Sequence, residues 1–517
     1  MTDRIALHDN LARAAERAPE HPAHISGDEV TSYATLARDA RRFAATLARL
    51  GIRKGDRVGL VLDGRVEYLV AYYGALAAGA VVVPLCPDTR TDLLCWPLEH
   101  CDVSLVVMEG TNARYVSGQS ARLPSLRTLV TLGKPIIDEP GRFQIVDWAE
   151  AVAGPEELAD AGAHGEDLAS IVYTSGTTGR PKGVMLAHRN LVANVRSIVE
   201  YLELVPTDAI GMVLPYYYVY GTSVLHTHVA AGATIVDLGS MAFPPTVLAG
   251  LSHHRCTGFS GVPSTFARLL QIDTLEQTDL SALRYVTQAG AAMAPALAGE
   301  LRRKLPHSRV FVMYGQTEAS ARLSYLPPES LDRKMGSIGK AIPGVTLTVC
   351  DPDGNVLPPG VQGELVARGD NIMLGYWKDP EQTARTLRPE GLRTGDLARM
   401  DEEGFFWVVG RESDMIKSGA HRIAPQEIED ALYAHPDIAE CAVVGLPDAL
   451  LGEKVVAFVI AKSGAPKIQE RALLRHCFER LPRFKMPGEV RVVDSLPRTS
   501  SGKLQRGELR RKFGARS

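Results

Sequence analysis

An excess of charge of one sign is missing from this chain. Lys and Arg total 57, Asp and Glu total 60, and the formal net charge is −3. A basic surface of the kind that grips a nucleic-acid backbone is therefore excluded. A small anionic ligand needs only a local site and stays open. Metal and disulfide signatures are missing as well. Cys86, Cys95, Cys101, Cys256, Cys350, Cys441 and Cys477 form no C-x-x-C pair, and no Cys/His cluster has zinc spacing. An odd, scattered set predicts ordinary core thiols in a reducing compartment, the cytoplasm. The first 24 residues, MTDRIALHDNLARAAERAPEHPAH, interrupt every short apolar run with charge and do not read as a signal peptide. One uncharged stretch, Tyr68 to Cys86, is long enough to span a bilayer. Gly79 divides it into an Ala-rich half and the β-branched AVVVPL, which predicts a buried helix–turn–strand unit instead of a membrane span. Internal repeats and low-complexity tracts are absent too.

What is present is a chain of 517 residues, 45% apolar, long enough for about three or four domain-sized units or one large body with an appendage. Up to about residue 240, β-rich runs alternate with helical stretches. VGLVL (58–62) precedes a helix over 65–78, AVVVPL (80–85) precedes a helix over 91–100, and VSLVVM (103–108) follows. The alternation resumes at LASIVYT (168–174), ATIVDL (233–238) and RVFVMYG (309–315). It predicts an α/β fold whose large multi-layer N-terminal domain has mostly parallel sheets. From about 335 to 411, short alternating strands separated by DG and PPG turns predict a β-rich subdomain. Residues 412–517 read as a small α+β C-terminal domain, with helices at 425–434 and 468–480 and strands CAVVGL, KVVAFVI and EVRVVD. The first domain accordingly runs over 1–411.

The segment richest in chemistry is Tyr173-Thr-Ser-Gly-Thr-Thr-Gly-Arg-Pro-Lys-Gly183, directly after a predicted strand. Glycines let a backbone approach phosphate oxygens, and their N–H groups can form an anion nest. Hydroxyls add donors and Lys182 adds charge. A Walker A loop is ruled out, because its spacing fails and Pro181 precedes the lysine.

With this loop the sequence resembles the adenylate-forming superfamily, which includes acyl-CoA synthetases, luciferases and peptide-synthetase adenylation domains. Further motifs follow in family order over nearly the whole chain. They are TSYATLARDARRFAATLARLGIRKGDRVGLVL, Tyr314-Gly-Gln-Thr-Glu318, GELVARGDNIMLGYWKDPE (363–381), Thr394-Gly-Asp-Leu397, Gly410-Arg-Glu-Ser-Asp-Met-Ile-Lys417 and Pro497-Arg-Thr-Ser-Ser-Gly-Lys-Leu504. The resemblance implies ATP as a substrate and attack of a carboxylate on its α-phosphorus. Both reactants are anions, so holding phosphates and neutralising developing charge is the main task.

By the same resemblance, Thr174, Ser175, Gly176, Thr177, Thr178, Gly179 and Lys182 would hold the β- and γ-phosphates. Glu318 would hold Mg²⁺ and Thr317 would meet the α-phosphate. Ala289, Gly290 and Ala291, with Tyr314, would form the adenine slot, and Gly315 and Gln316 would also contact the nucleotide. Asp396 and Arg411 would contact the ribose. Lys503, in PRTSSGK, would be the catalytic lysine, bridging carboxylate and α-phosphate. The family rotates a mobile C-terminal domain to bring a second face to the site. Ser413 aligns with the pivot, usually Asp or Lys, with Asp414 beside it. Lys417, Ser418 and Gly419 would then face a pantetheine arm.

Leu214-Pro-Tyr-Tyr-Tyr-Val-Tyr-Gly-Thr-Ser-Val224 carries no acid to pair with an ammonium group, which disfavours an α-amino acid as substrate. Tyr216, Tyr218, Gly261 and Gly290 are the expected acyl-pocket residues, with Tyr217 and Tyr220 as further candidates or core packing. Arg322 offers a partner for a second substrate carboxylate, or a structural salt bridge. The expected activity is adenylation of a fatty, aryl or related non-amino acid, followed by transfer to the thiol of CoA. A carrier-protein phosphopantetheine or a non-thiol acceptor is the alternative. A non-catalytic descendant of the fold predicts erosion of the phosphate-contacting residues, and these are present. Expected partners are the acid and CoA or an acyl carrier protein, for a monomer or homodimer without nucleic acid.

Overall fold

The computed structural model describes residues 5–89, 91–137, 142–156, 161–174, 181–411, 414–419, 421–448, 450–462, 464–465, 468–498 and 504–514. Two large sheets, both mostly parallel, dominate it.

The first has eight strands in the order Gly375–Tyr376, Lys182–Ala187, Leu168–Thr174, Val81–Pro84, Arg57–Val61, Leu105–Glu109, Thr128–Leu132 and Gln144–Asp147. From Leu168–Thr174 onward these pairs are parallel. Val81, Val82 and Val83 are all buried, as a parallel strand covered on both faces requires. The uncharged stretch resolves as predicted into the helix Val66–Ala77, a turn, and the strand Val81–Pro84. Its Gly74 sits where an added Cβ would lie 2.7 Å from the Ala40 carbonyl, so glycine sets the close approach to the helix Tyr33–Arg49. Among the described residues no helix is long and apolar enough to cross a membrane.

The second sheet has nine strands in the order Lys340–Ala341, Ser324–Leu326, Arg309–Tyr314, Tyr285–Gln288, Gly258–Gly261, Ala209–Met212, Thr234–Asp237, Pro22–Ser26 and Glu29–Ser32. The run from Arg309–Tyr314 to Pro22–Ser26 is parallel. In this register Gly261 stands beside Gln288, and Gln288 beside Val312. The strands therefore end together, and the loops that follow Met212, Gly261, Gln288 and Tyr314 leave from one edge.

Residues 345–411 form an antiparallel five-stranded sheet. The last five-stranded sheet begins at Ile416–Ser418. There CAVVGL and KVVAFVI belong to one long antiparallel hairpin, Ile438–Asp448 with Gly452–Ala461. Only the second of these makes a parallel crossover, through the helix Glu470–Phe478 to Glu489–Val492. The helix Pro425–Tyr433 lies against the strand Phe406–Arg411 and the helix Pro295–Lys304. The fold is thus a large α/β body of mostly parallel sheets, a β-rich section and a small α+β unit. None of the seven cysteines is in a disulfide, and all but Cys86 are buried.

Candidate active site

The hydroxyl- and glycine-rich segment joins two paired strands. Leu168–Thr174 and Lys182–Ala187 run antiparallel, with Thr174 opposite Lys182. Ladder hydrogen bonds thus fix both ends of the turn, while Ser175, Gly176, Thr177, Thr178 and Gly179 lie outside the described residues. Below the turn, the Tyr173 hydroxyl meets His100 Nδ1 at 2.7 Å and Cys101 Sγ at 3.2 Å.

Gly375–Tyr376 adds to the free edge of Lys182–Ala187, pairing Tyr376 with Val184. That pairing puts the Tyr376 ring 5.3 Å from the Lys182 ammonium. The Tyr376 hydroxyl donates to Glu318 Oε1 at 2.8 Å. Met373 N–H donates to the Glu318 carbonyl at 2.9 Å, so both ends of the glutamate are tied to one segment. Burial and the Glu318 charge raise the Tyr376 phenol, which stays a donor. Tyr376 lies in the GELVARGDNIMLGYWKDPE motif, and that motif is the signal by which it could have been singled out.

Glu318 and Thr317 occupy a short 3₁₀ turn, Thr317–Ala319, after the strand Arg309–Tyr314. Gly315 permits this: an added Cβ would clash with the Ala321 carbonyl and stand 2.8 Å from Arg322 Cα. Ser320 (φ +55°) and Ala321 (φ +108°) hold left-handed backbone without being glycine, a strain that surrounding structure must impose. Ser320 Oγ donates to the Asn371 carbonyl at 2.8 Å, and Asn371 Nδ2 donates to the carbonyls of Ala319 and Arg322 at 3.1 and 2.9 Å. Gln316 Nε2 is buried with no hydrogen-bond partner among the described residues.

Asp396 and Arg411 face each other as partners in the antiparallel pair Gly391–Met400 and Phe406–Arg411. Arg411 Nε donates to Asp396 Oδ1 at 3.2 Å, and the Tyr314 hydroxyl donates to Oδ2 at 2.5 Å. Burial pushes the Asp396 carboxyl up, against the pull of Arg411. Gly290 has φ +89°, and Gln288 Nε2 donates to the Ala291 carbonyl at 2.7 Å, which fixes the exposed Gly290–Ala291 turn.

The tyrosine loop divides. Tyr216, one of the expected acyl-pocket residues, has its side chain buried in the core. Its hydroxyl meets His24 Nε2 at 3.3 Å, its ring packs edge-on to Tyr68, and its N–H donates to Asp63 Oδ1 at 2.6 Å. Tyr217 is also buried, with Cys86 Sγ donating to its hydroxyl at 3.2 Å. Tyr218 is half-buried at the start of the helix Val219–Ala231 and packs on Tyr217. Tyr220 turns the other way, its hydroxyl donating to the Thr287 carbonyl at 2.9 Å and reaching the Gly261 carbonyl at 3.5 Å.

Lys417, Ser418 and Gly419 lie on and just beyond the strand Ile416–Ser418. Lys417 N–H donates to Glu453 Oε2 at 2.6 Å, and Gly419 N–H to the Leu451 carbonyl at 2.8 Å. Ser413 and Lys503 lie outside the described residues. Arg498 and Leu504, both within the Pro497–Leu504 motif, form an antiparallel bridge.

Loops gathered at the carboxyl ends of parallel strands mark a ligand-binding α/β enzyme. Comparison then fixes its family. The chain matches the AMP-binding enzyme family over residues 11–377 and the AMP-binding enzyme C-terminal domain over 427–503. It is 33% identical over 522 residues to a medium-chain fatty-acid–CoA ligase of Escherichia coli K12, covering 98% of this chain and 90% of that one. It is 34% identical over 505 residues to a feruloyl-CoA synthase of an Amycolatopsis species, covering 97% and 98%. A solved anthranilate CoA ligase in complex with anthranoyl-AMP superposes with a TM-score of 0.91 at 28% identity, covering 98% of this chain and 97% of that one. The chain belongs to the AMP-binding enzymes, within the AMP-forming acyl- and aryl-CoA ligases.

Proposed function

We propose that this chain joins a non-amino carboxylic acid to ATP, releasing pyrophosphate, and passes the acyl group from acyl-AMP to the thiol of CoA. The observation that carries the reading is the line Lys182–Tyr376–Glu318, which sets a cation and a carboxylate on two sides of one aromatic ring. It joins the turn at Thr174 to the turn at Thr317, as a triphosphate lying between them needs.

In this reading Thr174, the turn through Gly179 and Lys182 hold the β- and γ-phosphates. Thr317 meets the α-phosphate. Tyr314 and Gly290–Ala291 flank the adenine, with Gly315 and Gln316 behind it. Asp396, held by Tyr314 and Arg411, accepts the ribose hydroxyls. Glu318 fits a Mg²⁺ ligand, because among the described residues its Oε2 accepts no hydrogen bond. One carboxylate oxygen with phosphate oxygens and water is a donor set that this hard cation takes. Bound there, it would neutralise the leaving pyrophosphate.

Lys503 places its ammonium between the attacking carboxylate and the α-phosphate, where charge builds in the transition state. Residues 1–411 and 412–517 act as two bodies that pivot near Ser413. The pivot replaces the Lys503 face by the Lys417–Gly419 face, since one path does not admit both a triphosphate and a thiol. CoA is the acceptor favoured by the relatives' names, and the pantetheine arm of a carrier protein presents the same thiol. The test is ATP–pyrophosphate exchange with a panel of acids, followed by mass analysis of products with CoA and with a holo carrier. Exchange with aryl or aliphatic acids and an acyl-CoA product support the reading. Exchange confined to α-amino acids, or no thioester, contradicts it.

A further inference from the structure

Arg322 is a buried cation with no anion beside it among the described residues. The residue is 3% exposed. Among the described residues, no carboxylate oxygen lies within ion-pair distance of its guanidinium, so the expected structural salt bridge is absent there. Among the described residues its Nη1 donates to the Ala321 carbonyl at 3.3 Å, the guanidinium also hydrogen-bonds the Tyr201 hydroxyl, a neutral group, and its Nε is buried with no partner. Its charge rests instead on the face of Tyr220, 4.1 Å from the ring centroid.

Other well-covered cations of this chain are paired. Arg393 meets Glu364 and Glu390, Arg506 meets Glu429, and Lys334 meets Asp401 and Glu403. A guanidinium keeps its proton under all ordinary conditions, so it cannot escape burial by neutralising. Contact with an aromatic face offsets only part of the desolvation cost.

The position of the charge is built. Asn194 Nδ2 and Asn371 Nδ2 both donate to the Arg322 carbonyl, at 3.0 and 2.9 Å. The Arg322 backbone packs directly behind Gly315 of the nucleotide motif. Tyr220, under the guanidinium, reaches the carbonyls of Thr287 and Gly261 at the ends of two parallel strands. Arg322 thus stands between the nucleotide turn and the strand ends where an acyl group would lie.

We propose that Arg322 is a specificity-determining residue that selects acids carrying a second anionic group, in the simplest case dicarboxylates, over acids with neutral tails. The proposal rests on the acid-ligase reading, and it names the counter-charge that the described residues lack at this point: it arrives with the substrate.

The experiment is ATP–pyrophosphate exchange with matched pairs, α,ω-dicarboxylic acids against monocarboxylic acids of equal chain length, and phthalates against benzoate. The wild-type protein is compared with Arg322→Gln and Arg322→Lys, and nucleotide affinity is titrated in parallel to show that each variant is folded. Wild-type kcat/KM is expected to favour the dicarboxylate by about tenfold or more, Arg322→Gln to abolish that preference chiefly through KM for the acid, and Arg322→Lys to restore part of it. A wild-type preference for the neutral-tailed member of every pair overturns the proposal and leaves the acid-ligase reading intact. So does an Arg322→Gln effect that falls on KM for ATP alike with every acid, which would assign the cation to the nucleotide. Exchange with no acid at all overturns both.

Discussion

The Tyr376 hydroxyl donates to Glu318 Oε1 at 2.8 Å, across 58 residues of sequence. The same ring lies beside Lys182. Tyr376→Phe removes the hydrogen bond and keeps the ring. A hydrogen bond to a charged group contributes about 1.5–3 kcal/mol, so the adenylation rate at limiting Mg²⁺ should fall by roughly tenfold or more. The Mg²⁺ concentration needed for half-maximal exchange should rise, with little change in thermal midpoint. An unchanged Mg²⁺ dependence would remove Tyr376 from the site.

Asp396 gives a ribose test. Its carboxylate is held by Tyr314 and Arg411 and is 5% exposed. Asp396→Asn keeps the shape and removes the charge. ATP should then bind about ten- to a hundredfold more weakly, as expected for loss of a charged hydrogen-bond acceptor. The informative readout is 2′-deoxy-ATP, whose disadvantage against ATP should shrink in the variant. An equal disadvantage in both proteins would show that Asp396 does not read the ribose.

Gly315→Ala should disable the nucleotide turn without touching a polar contact. The new methyl would collide with the Ala321 carbonyl, which is backbone and cannot swing aside. Nucleotide affinity should be lost and the thermal midpoint lowered, both visible in a melting curve run with and without ATP. A variant that melts and binds as the wild type does would show that the turn relaxes freely.

Acid should destabilise this protein well above the carboxylate range. His24 and His228 are pushed down by burial to about 4, and His188 and His226 to about 3, from an ordinary 6.5. Each is neutral when folded and takes a proton when unfolded, so its contribution is complete above pH 6.5 and is lost as pH falls toward 4. Each contributes about 1.4 kcal/mol per pH unit across that window. Asp63 and Asp430, raised by burial to about 6, act with the opposite sign, because their contribution is lost as pH rises from about 4 through 6. Asp237 and Asp396 are raised by burial as well, and His100, His254 and His476 are lowered as well, so seven histidines act against four carboxyls. The thermal midpoint should therefore fall between pH 6.5 and 4.5, and His226→Gln should flatten the slope. A midpoint that rises over that interval would contradict the assignment.

Much of the fold was legible because its signals are local. β-branched runs between Ala-rich helices gave the parallel strands, and Gly79 told a helix–turn–strand from a membrane span. The site was legible as motifs, since Glu318, Asp396 and Lys182 each sit among residues that narrow their chemistry. The contacts between motifs were not. Tyr376 reaches Lys182 only because a two-residue strand pairs with the edge of the turn's second strand, across nearly 200 residues. The tyrosine loop was not legible for a related reason: sequence does not say which way each ring turns. Tyr216 faces Tyr68 and His24, whereas Tyr220 faces Thr287 and Arg322. Arg322 reads more readily as half of a salt bridge, and only the packing around it shows a charge with no carboxylate beside it among the described residues.

In the proposed reaction an acid's own oxygen attacks the α-phosphorus in the cage between Thr174, Glu318 and Asp396. Its most direct measurement uses an acid labelled with heavy oxygen in the carboxylate, turned over with ATP, Mg²⁺ and CoA, with the released AMP weighed by mass spectrometry. One labelled oxygen is expected in AMP and none in pyrophosphate. Label in a phosphate or pyrophosphate product, or AMP without label, would contradict it.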